Sequence, residues 1–109
     1  MTAPEPSPQE GPTFIHRPAD AWEAELTVRV GQVLSVRLTP AGGYHWSLLE
    51  GSDAALIELS TDVDAAGVAT ATVRATAVGR VELRATTSHT GDRFGPPTRM
   101  WRMTLHIEP

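Results

Sequence analysis

Short segments in which apolar and polar residues alternate make up most of the chain after residue 21. An alternation with a period of two places apolar side chains on one face of a β-strand and polar side chains on the other. Turn residues separate these segments at the short intervals typical of an antiparallel, immunoglobulin-like β-sandwich. We therefore predict an all-β fold of about seven strands, over residues 22–30, 34–38, 44–48, 53–60, 69–75, 80–85 and 101–107. The fourth of these segments would also suit a helical turn.

The first 20 residues have a different composition, with five of the nine prolines and few apolar side chains. Proline-rich stretches of this kind favour an extended, poorly ordered conformation. A chain of 109 residues is long enough for one domain with one core, because domains usually contain about 100–150 residues. We predict a disordered Pro-rich N-terminal tail over residues 1–20 and a single sandwich domain over residues 21–109.

Composition and charge argue against several classes of function. The chain has no cysteine, which leaves no disulfide, no thiolate metal site and no cysteine nucleophile. Its net charge of −4 and nine scattered arginines argue against nucleic-acid binding, since that needs clustered basic side chains. No apolar run approaches the roughly 20 residues that cross a bilayer, and the first residues lack the features of a secretory signal. We expect a cytoplasmic monomer with no cofactor, no metal and no membrane or nucleic-acid partner.

The four histidines are the first candidates for catalysis or metal binding. His45, His89 and Asp92 would lie near one another at a loop end, where they could bind a metal or position a base. Their spacing matches no metal-binding or catalytic motif, and exposed loop histidines are common, so solvated side chains are the favoured interpretation. His16 in the tail and His106 on an outward face have no evident partner. We predict that the protein is not an enzyme.

Three connections of the predicted sandwich would meet at one end of the domain. With the predicted strands lettered A to G, these are the B–C loop over residues 39–43, the D–E loop over residues 62–67 and the F–G loop over residues 88–98. The three tryptophans are expected to pack in the core, because they lie on strands or at strand ends. Phe94, in the F–G loop, would either fold back on the sandwich or act as a contact residue.

The run LTVRVGQVLSVRLTPAGGYHWSL, residues 26–48, carries a family pattern. It resembles the chagasin-type inhibitors of papain-like cysteine peptidases, which have an L-T-V-x-x-G strand, a second alternating strand, and Asn-Pro-Thr-Thr-Gly followed by an aromatic residue, one further residue and Trp. The match continues through VRATAVGRVELRATT and MWRMTLHI and covers residues 22–107. The resemblance implies an immunoglobulin-like fold and non-covalent inhibition, with the B–C loop over the catalytic cysteine of the peptidase and the other two loops at its sides.

The resemblance also implies which residues contact the target peptidase. In the B–C loop, Pro40 and Gly43 match the family, Thr39 replaces its Asn, and an Ala-Gly pair replaces its two threonines. The D–E loop keeps one glycine of the family's Gly-x-Gly-Gly, and the F–G loop keeps none of its Arg-Pro-Trp residues. The implied contact residues are Thr39, Pro40, Ala41, Gly42, Gly43 and Tyr44 in and beside the B–C loop, Asp64, Ala65, Ala66 and Gly67 in the D–E loop, and His89, Thr90, Gly91 and Phe94 in the F–G loop.

Two other functions stay open at this point. The same sandwich could bind a different protein or a small ligand through its loop end, since several of the family's loop residues are replaced. The second of these functions is that of a histidine-centred enzyme or metal site at the same end of the domain. Binding without inhibition of a cysteine peptidase would indicate the former, and a bound metal the latter.

Overall fold

The computed structural model describes residues 10–91 and 97–109. These residues form nine β-strands and contain no helix. This part contains no helix that could cross a membrane. The all-β prediction is confirmed. The strands are β1 Glu10–His16, β2 Glu23–Arg29, β3 Val33–Leu38, β4 Tyr44–Trp46, β5 Glu50–Gly51, β6 Ile57–Val63, β7 Ala69–Ala75, β8 Gly79–His89 and β9 Arg99–Glu108.

The strands form two sheets that share one core. One sheet has the order β1–β3–β7–β6, the other has the order β2–β9–β8–β4, and β5 pairs with β8. β1 runs parallel to β3 and β2 runs parallel to β9, whereas the other neighbours are antiparallel. The predicted sandwich is confirmed, but its sheets are mixed and not purely antiparallel. The alternation of apolar residues determines which face a side chain occupies and carries no information on the direction of the neighbouring strand.

Strand β1 corrects the prediction of a tail over residues 1–20. Within its sequence EGPTFIH the inward positions are Pro12, Phe14 and His16, and His16 is fully buried. Parallel pairing with β3 fixes the strand at the edge of its sheet. The sequence pattern missed it because a proline, an aromatic residue and a histidine do not form an aliphatic alternation. The sandwich therefore includes residues 10–16, and residues 1–9 lie outside the described part of the chain.

The bounds of three strands also differ from the prediction: β8 continues to His89, four residues beyond its predicted end, and β6 and β4 differ for local reasons. The segment before β6 is a turn, in which the Leu56 N–H donates to the Asp53 carbonyl at 3.3 Å. β4 ends at Trp46, because the Ser47 hydroxyl accepts the Thr86 N–H at 2.9 Å in place of a backbone carbonyl. The alternation then slips by one residue, so that Leu48 is exposed and the next leucine is buried.

The core lies between the sheets and is built mainly from aliphatic side chains. Trp46 and Trp101 are buried within it, as predicted, and Trp22 packs against it while partly exposed. Burial of one large apolar side chain contributes about 1.5–3 kcal/mol, so this core supplies most of the stability of a chain without disulfides. The largest fully buried apolar side chains are Trp46, Trp101, Leu34, Leu38, Leu83, Met103, Leu105, Val73 and Val81.

Candidate functional site at the loop end

The B–C loop, the D–E loop and the first residues of the F–G loop lie together at one end of the sandwich. Tyr44, which follows the B–C loop, lies opposite His89 in the antiparallel pair β4–β8. On the other edge of β4, the Trp46 N–H donates to the Gly67 carbonyl at 3.0 Å. Strand β4 is therefore flanked by the other two connections, and the predicted neighbourhood of the three loops is present for their described residues.

The B–C loop is a tight turn with an exposed backbone tip. The Tyr44 N–H donates to the Ala41 carbonyl at 3.1 Å, and Gly43 has a φ of 81°, a conformation that favours glycine. A Cβ added at Gly42 would meet no heavy atom of the described residues within 4 Å. Ala41, Gly42 and Gly43 are all exposed. The tip thus presents main-chain groups to solvent with one methyl group as its only side chain.

Both ends of the B–C loop are held by hydrogen bonds to other elements. Where the chain enters the loop, the N–H and the hydroxyl of Thr39 donate to the His16 carbonyl at 2.9 and 2.8 Å. Where it leaves, the N–H and the hydroxyl of Thr90 donate to the Gly43 carbonyl, each at 2.8 Å. The loop is therefore fixed between β1 and the end of β8.

His89, the last residue of β8, packs against the B–C loop. Its ring meets the Tyr44 ring edge to face, with centroids 5.4 Å apart. The Gly91 N–H donates to Nδ1 of His89 at 3.2 Å, which assigns the proton of the neutral imidazole to Nε2. A Cβ built at Gly43 would lie 3.7 Å from that Nε2 atom. These contacts support the shape of the loop end.

The D–E loop forms a turn around Asp64. Oδ1 of Asp64 accepts the N–H groups of Ala66 at 2.9 Å and Val68 at 3.0 Å. Gly67 has a φ of 81°, and a Cβ added there would lie 2.8 Å from Cβ and 2.9 Å from Cα of His45. The one family glycine that this loop retains is thus required by the close approach of the turn to β4.

The histidine cluster considered from the sequence is not assembled. Tyr44 and His89 lie opposite each other, as do His45 and Ser88. Directly opposed residues point to the same face of a sheet, so His45 and His89 point to opposite faces. Within the described ranges, no group of three or more His, Asp or Glu side chains could hold a metal. Asp92, the third member, lies outside the described residues, as does Phe94.

Beneath the B–C loop lies a cluster that the sequence analysis missed. The His16 ring meets Trp22 and Trp46 edge to face, with centroid distances of 4.8 and 5.7 Å. The two indole rings stack at 5.3 Å, and the Arg99 guanidinium lies 4.2 Å from the centre of the Trp22 ring. The signal available in the sequence was the spacing of Phe14 and His16, which places both on one face of a strand.

A cavity of about 200 Å³ opens between this cluster and the B–C loop. Its walls are mostly apolar, and Arg99 is the one charged residue among its lining residues in the described part of the chain. The cavity has the size of one amino-acid side chain rather than of a large cofactor. Its lining residues are Pro18, Trp22, Thr39, Ala41, Tyr44, Trp46, Thr87, Thr98 and Arg99.

Burial governs the ionisation of His16. It lowers the pKa of the imidazole below its usual value of 6.5, and Arg99 acts in the same direction. The Asp20 carboxylate and the backbone of Ala21 favour the charged form and oppose this shift. His16 is therefore neutral at neutral pH.

No protein-family model matches this chain, and no curated protein matches it. Solved structures do. The crystal structure of the cysteine protease inhibitor EhICP2 from Entamoeba histolytica has a TM-score of 0.57 and 15% sequence identity, over 88% of this chain and 97% of that one. PbICP-C, solved in complex with falcipain-2, has a TM-score of 0.56 and 10% identity, over 94% and 93%.

These neighbours establish the fold. The chain has the immunoglobulin-like sandwich of the chagasin-type cysteine protease inhibitors, which confirms the predicted resemblance at the level of architecture. The alignments cover nearly the whole of each chain, so the likeness extends over the complete domain. At 10–15% sequence identity, the similarity to these structures concerns the fold alone. The chemistry of the loops depends on the residues of this chain.

Proposed function

We propose that this protein inhibits papain-like cysteine peptidases without forming a covalent bond, by placing the B–C loop in the substrate cleft. The D–E loop and the start of the F–G loop would contact the rims of the cleft. The observation that carries the proposal is the B–C tip itself, an exposed glycine turn fixed at both ends by paired hydrogen bonds to His16 and Thr90. The inhibitor EhICP2, which shares the fold, supports it.

The absence of large side chains at the tip suits entry into a narrow cleft. Gly42 and Gly43 leave the main chain free to approach the catalytic groups of a peptidase closely. The tight turn also opposes the extended conformation in which peptidases cleave their substrates. A loop that is already ordered loses little conformational entropy on binding, which favours affinity without many side-chain contacts.

The flanking connections would supply contacts of a different kind. Ala65 and Ala66 are exposed at the end of the D–E loop and offer a small apolar surface. On the other side, the His89 ring lies beside Tyr44, and the Thr90 hydroxyl, which donates to Gly43, keeps its oxygen as a hydrogen-bond acceptor. Loss of a central Trp or Arg contact costs about 2–4 kcal/mol in an interface. Inhibition about 30- to 1,000-fold weaker than that of a family member with the full set of loop residues is therefore expected.

The test is a titration of papain and of a cathepsin L-type peptidase with the purified protein, following hydrolysis of a fluorogenic substrate. The decisive variant is Gly42→Trp, because the added side chain projects into open space and would block entry into the cleft without disturbing the fold. Val78→Trp is the matched control, since Val78 is exposed in the connection between β7 and β8, at the opposite end of the domain.

Competitive inhibition by the wild-type protein and by Val78→Trp, with loss of inhibition in Gly42→Trp, is the expected result. Equal inhibition by all three proteins would refute the use of the B–C loop. No inhibition by the folded wild-type protein would refute the function itself.

The cavity beside the B–C loop favours a second candidate function, a non-inhibitory binding module. Its aromatic walls and Arg99 suit a ligand or partner side chain with an apolar stem and a negatively charged end. Trp22 and Trp46 line the cavity, so a ligand would change their fluorescence. Saturable quenching by a capped glutamate peptide, together with no inhibition of either peptidase, would favour this function over the first.

A further inference from the structure

His16 contacts the chain on both sides of the B–C loop. Its carbonyl oxygen accepts both hydrogen bonds from Thr39, where β3 leads into the loop. Its ring packs edge to face against Trp46, in the strand that leaves the loop. One residue of an edge strand thus holds the two ends of the loop in place through its backbone and its side chain.

The ring of His16 has no exposed surface. Neither Nδ1 nor Nε2 has a hydrogen-bond partner among residues 10–91 and 97–109. Its closest aromatic neighbours are the stacked rings of Trp22 and Trp46. A neutral imidazole is tolerated in such a site far better than an imidazolium, which would bring a full charge and a second N–H donor into it.

We propose that His16 is a positioning residue for the B–C loop, and that protonation of its imidazole in mild acid loosens the loop. Two charged groups from neighbouring elements act on the His16 ring. Asp20, in the connection from β1 to β2, favours the imidazolium, whereas Arg99 at the start of β9 opposes it. Leu38 of β3, opposite His16, and Trp46 of β4 carry no charge. The Asp20 carboxylate and the Ala21 backbone thus favour the imidazolium, whereas burial and Arg99 oppose it.

The direction of the pH effect follows from the lowered pKa of His16 in the folded state. At a pH above 6.5, the imidazole is neutral in both the folded and the unfolded chain, and folding does not depend on it. As the pH falls below 6.5, the unfolded chain takes up a proton first, and the folding equilibrium constant falls by up to tenfold per pH unit. The loss ends at the lower pKa of the folded state. The regulatory consequence, weaker inhibition in acid than at neutral pH, rests on the proposed function.

The first test uses the wild-type protein alone and no peptidase. The ring protons of His16 and the backbone amide of Thr39 are followed by NMR between about pH 8 and pH 4.5. We expect His16 to titrate below 6.5, with the Thr39 amide shifting and losing protection from exchange in the same pH range. The Ala75 amide, which donates to Gln32 at 3.0 Å at the other end of the domain, is the internal control and should keep its protection.

A His16 that titrates at or above 6.5, or a Thr39 amide that stays protected while His16 titrates, would overturn the proposal. The second test compares urea midpoints of wild type, His16→Phe and His106→Gln over the same pH range. His16→Phe keeps a buried aromatic ring and the backbone carbonyl but cannot be protonated. His106 lies on the outer side of β9, with its side chain 40% exposed, and serves as the matched histidine control.

We expect the midpoints of wild type and His106→Gln to fall in acid more steeply than the midpoint of His16→Phe. Equal pH dependence of all three proteins would contradict the proposal. If His16→Phe does not fold, the wild-type NMR titration decides alone. Because neither test measures inhibition, failure of the proposed function would leave both results interpretable.

Discussion

The carbonyl oxygen of Gly43 accepts two hydrogen bonds from Thr90, one from the N–H and one from the hydroxyl, each at 2.8 Å. Because Gly43 is the last residue of the B–C loop and Thr90 follows β8, this pair joins two connections that are 47 residues apart in sequence. The order of the B–C tip is therefore supported by the fold as a whole and does not depend on the turn alone.

Replacement of Thr90 by Val tests how much that support contributes. Val keeps the β-branched shape and the N–H but removes the hydroxyl, so one of the two hydrogen bonds to Gly43 is lost. A neutral hydrogen bond contributes about 0.5–1.5 kcal/mol, and less where water can replace it. If the protein is an inhibitor, we expect the inhibition constant to rise roughly two- to tenfold.

Thr72→Val is the matched control for that experiment, since Thr72 is exposed on the outer face of β7, away from the loop end. It should leave the inhibition constant unchanged. An unchanged constant in Thr90→Val as well would mean that the second hydrogen bond does not order the tip.

Gly67→Ala tests the contact between the D–E loop and β4. The added methyl group would lie 2.9 Å from Cα of His45, and the φ of 81° disfavours any side chain. We expect a loss of stability of about 2–4 kcal/mol, from a left-handed backbone cost of about 1–2 kcal/mol and the clash with a backbone atom. Urea unfolding measures it directly.

Gly42→Ala provides the control for Gly67→Ala, because its methyl group would point into open space. Its stability should stay within about 0.5 kcal/mol of wild type. Two variants with the same urea midpoint would show that the D–E loop moves away from β4 at little cost.

The alternation of apolar residues predicted most of the sandwich. The predicted strand over residues 69–75 matches β7, and those over residues 34–38 and 101–107 match β3 and β9 to within two residues at each end. What the pattern could not supply was strand β1, the short strand β5 and the two parallel pairings. The inward residues of β1 include a proline and a histidine, which do not form an aliphatic alternation. The alternation of apolar and polar residues is the same in parallel and antiparallel strands, so it does not indicate the direction of a neighbouring strand.

The candidate site was predicted in outline only. Its loops follow from the order of the strands, and the glycine turn at residues 42–43 is visible in the sequence. The contact between Gly67 and His45 and the burial of His16 depend on distances across the fold. A glycine needed for a close approach looks the same in sequence as a glycine in a free turn, so such contacts require the structure.

The last prediction concerns the contribution of β1 to stability. The domain predicted from the sequence begins at residue 21 and would exclude this strand. Phe14 packs with its ring centroid 5.8 Å from that of Trp101, and His16 contacts Trp22 and Trp46. A chain that begins at residue 21 would lose these contacts and both hydrogen bonds that hold Thr39. Burial of one large side chain contributes about 1.5–3 kcal/mol. We therefore expect such a chain to be at least about 3 kcal/mol less stable than a chain that begins at residue 10, a large share of the usual 5–15 kcal/mol.

The measurement is urea unfolding of the two chains, followed by tryptophan fluorescence and by circular dichroism. Phe14→Ala in the full-length chain is the milder companion, because it removes one ring and keeps the backbone pairing with β3. The stability of Phe14→Ala should lie between that of the chain beginning at residue 21 and that of the chain beginning at residue 10. If the chain beginning at residue 21 unfolds at the same urea concentration as the chain beginning at residue 10, β1 contributes nothing to the fold, and the B–C loop is then ordered by its own turn and by its contacts with Thr90 and His89.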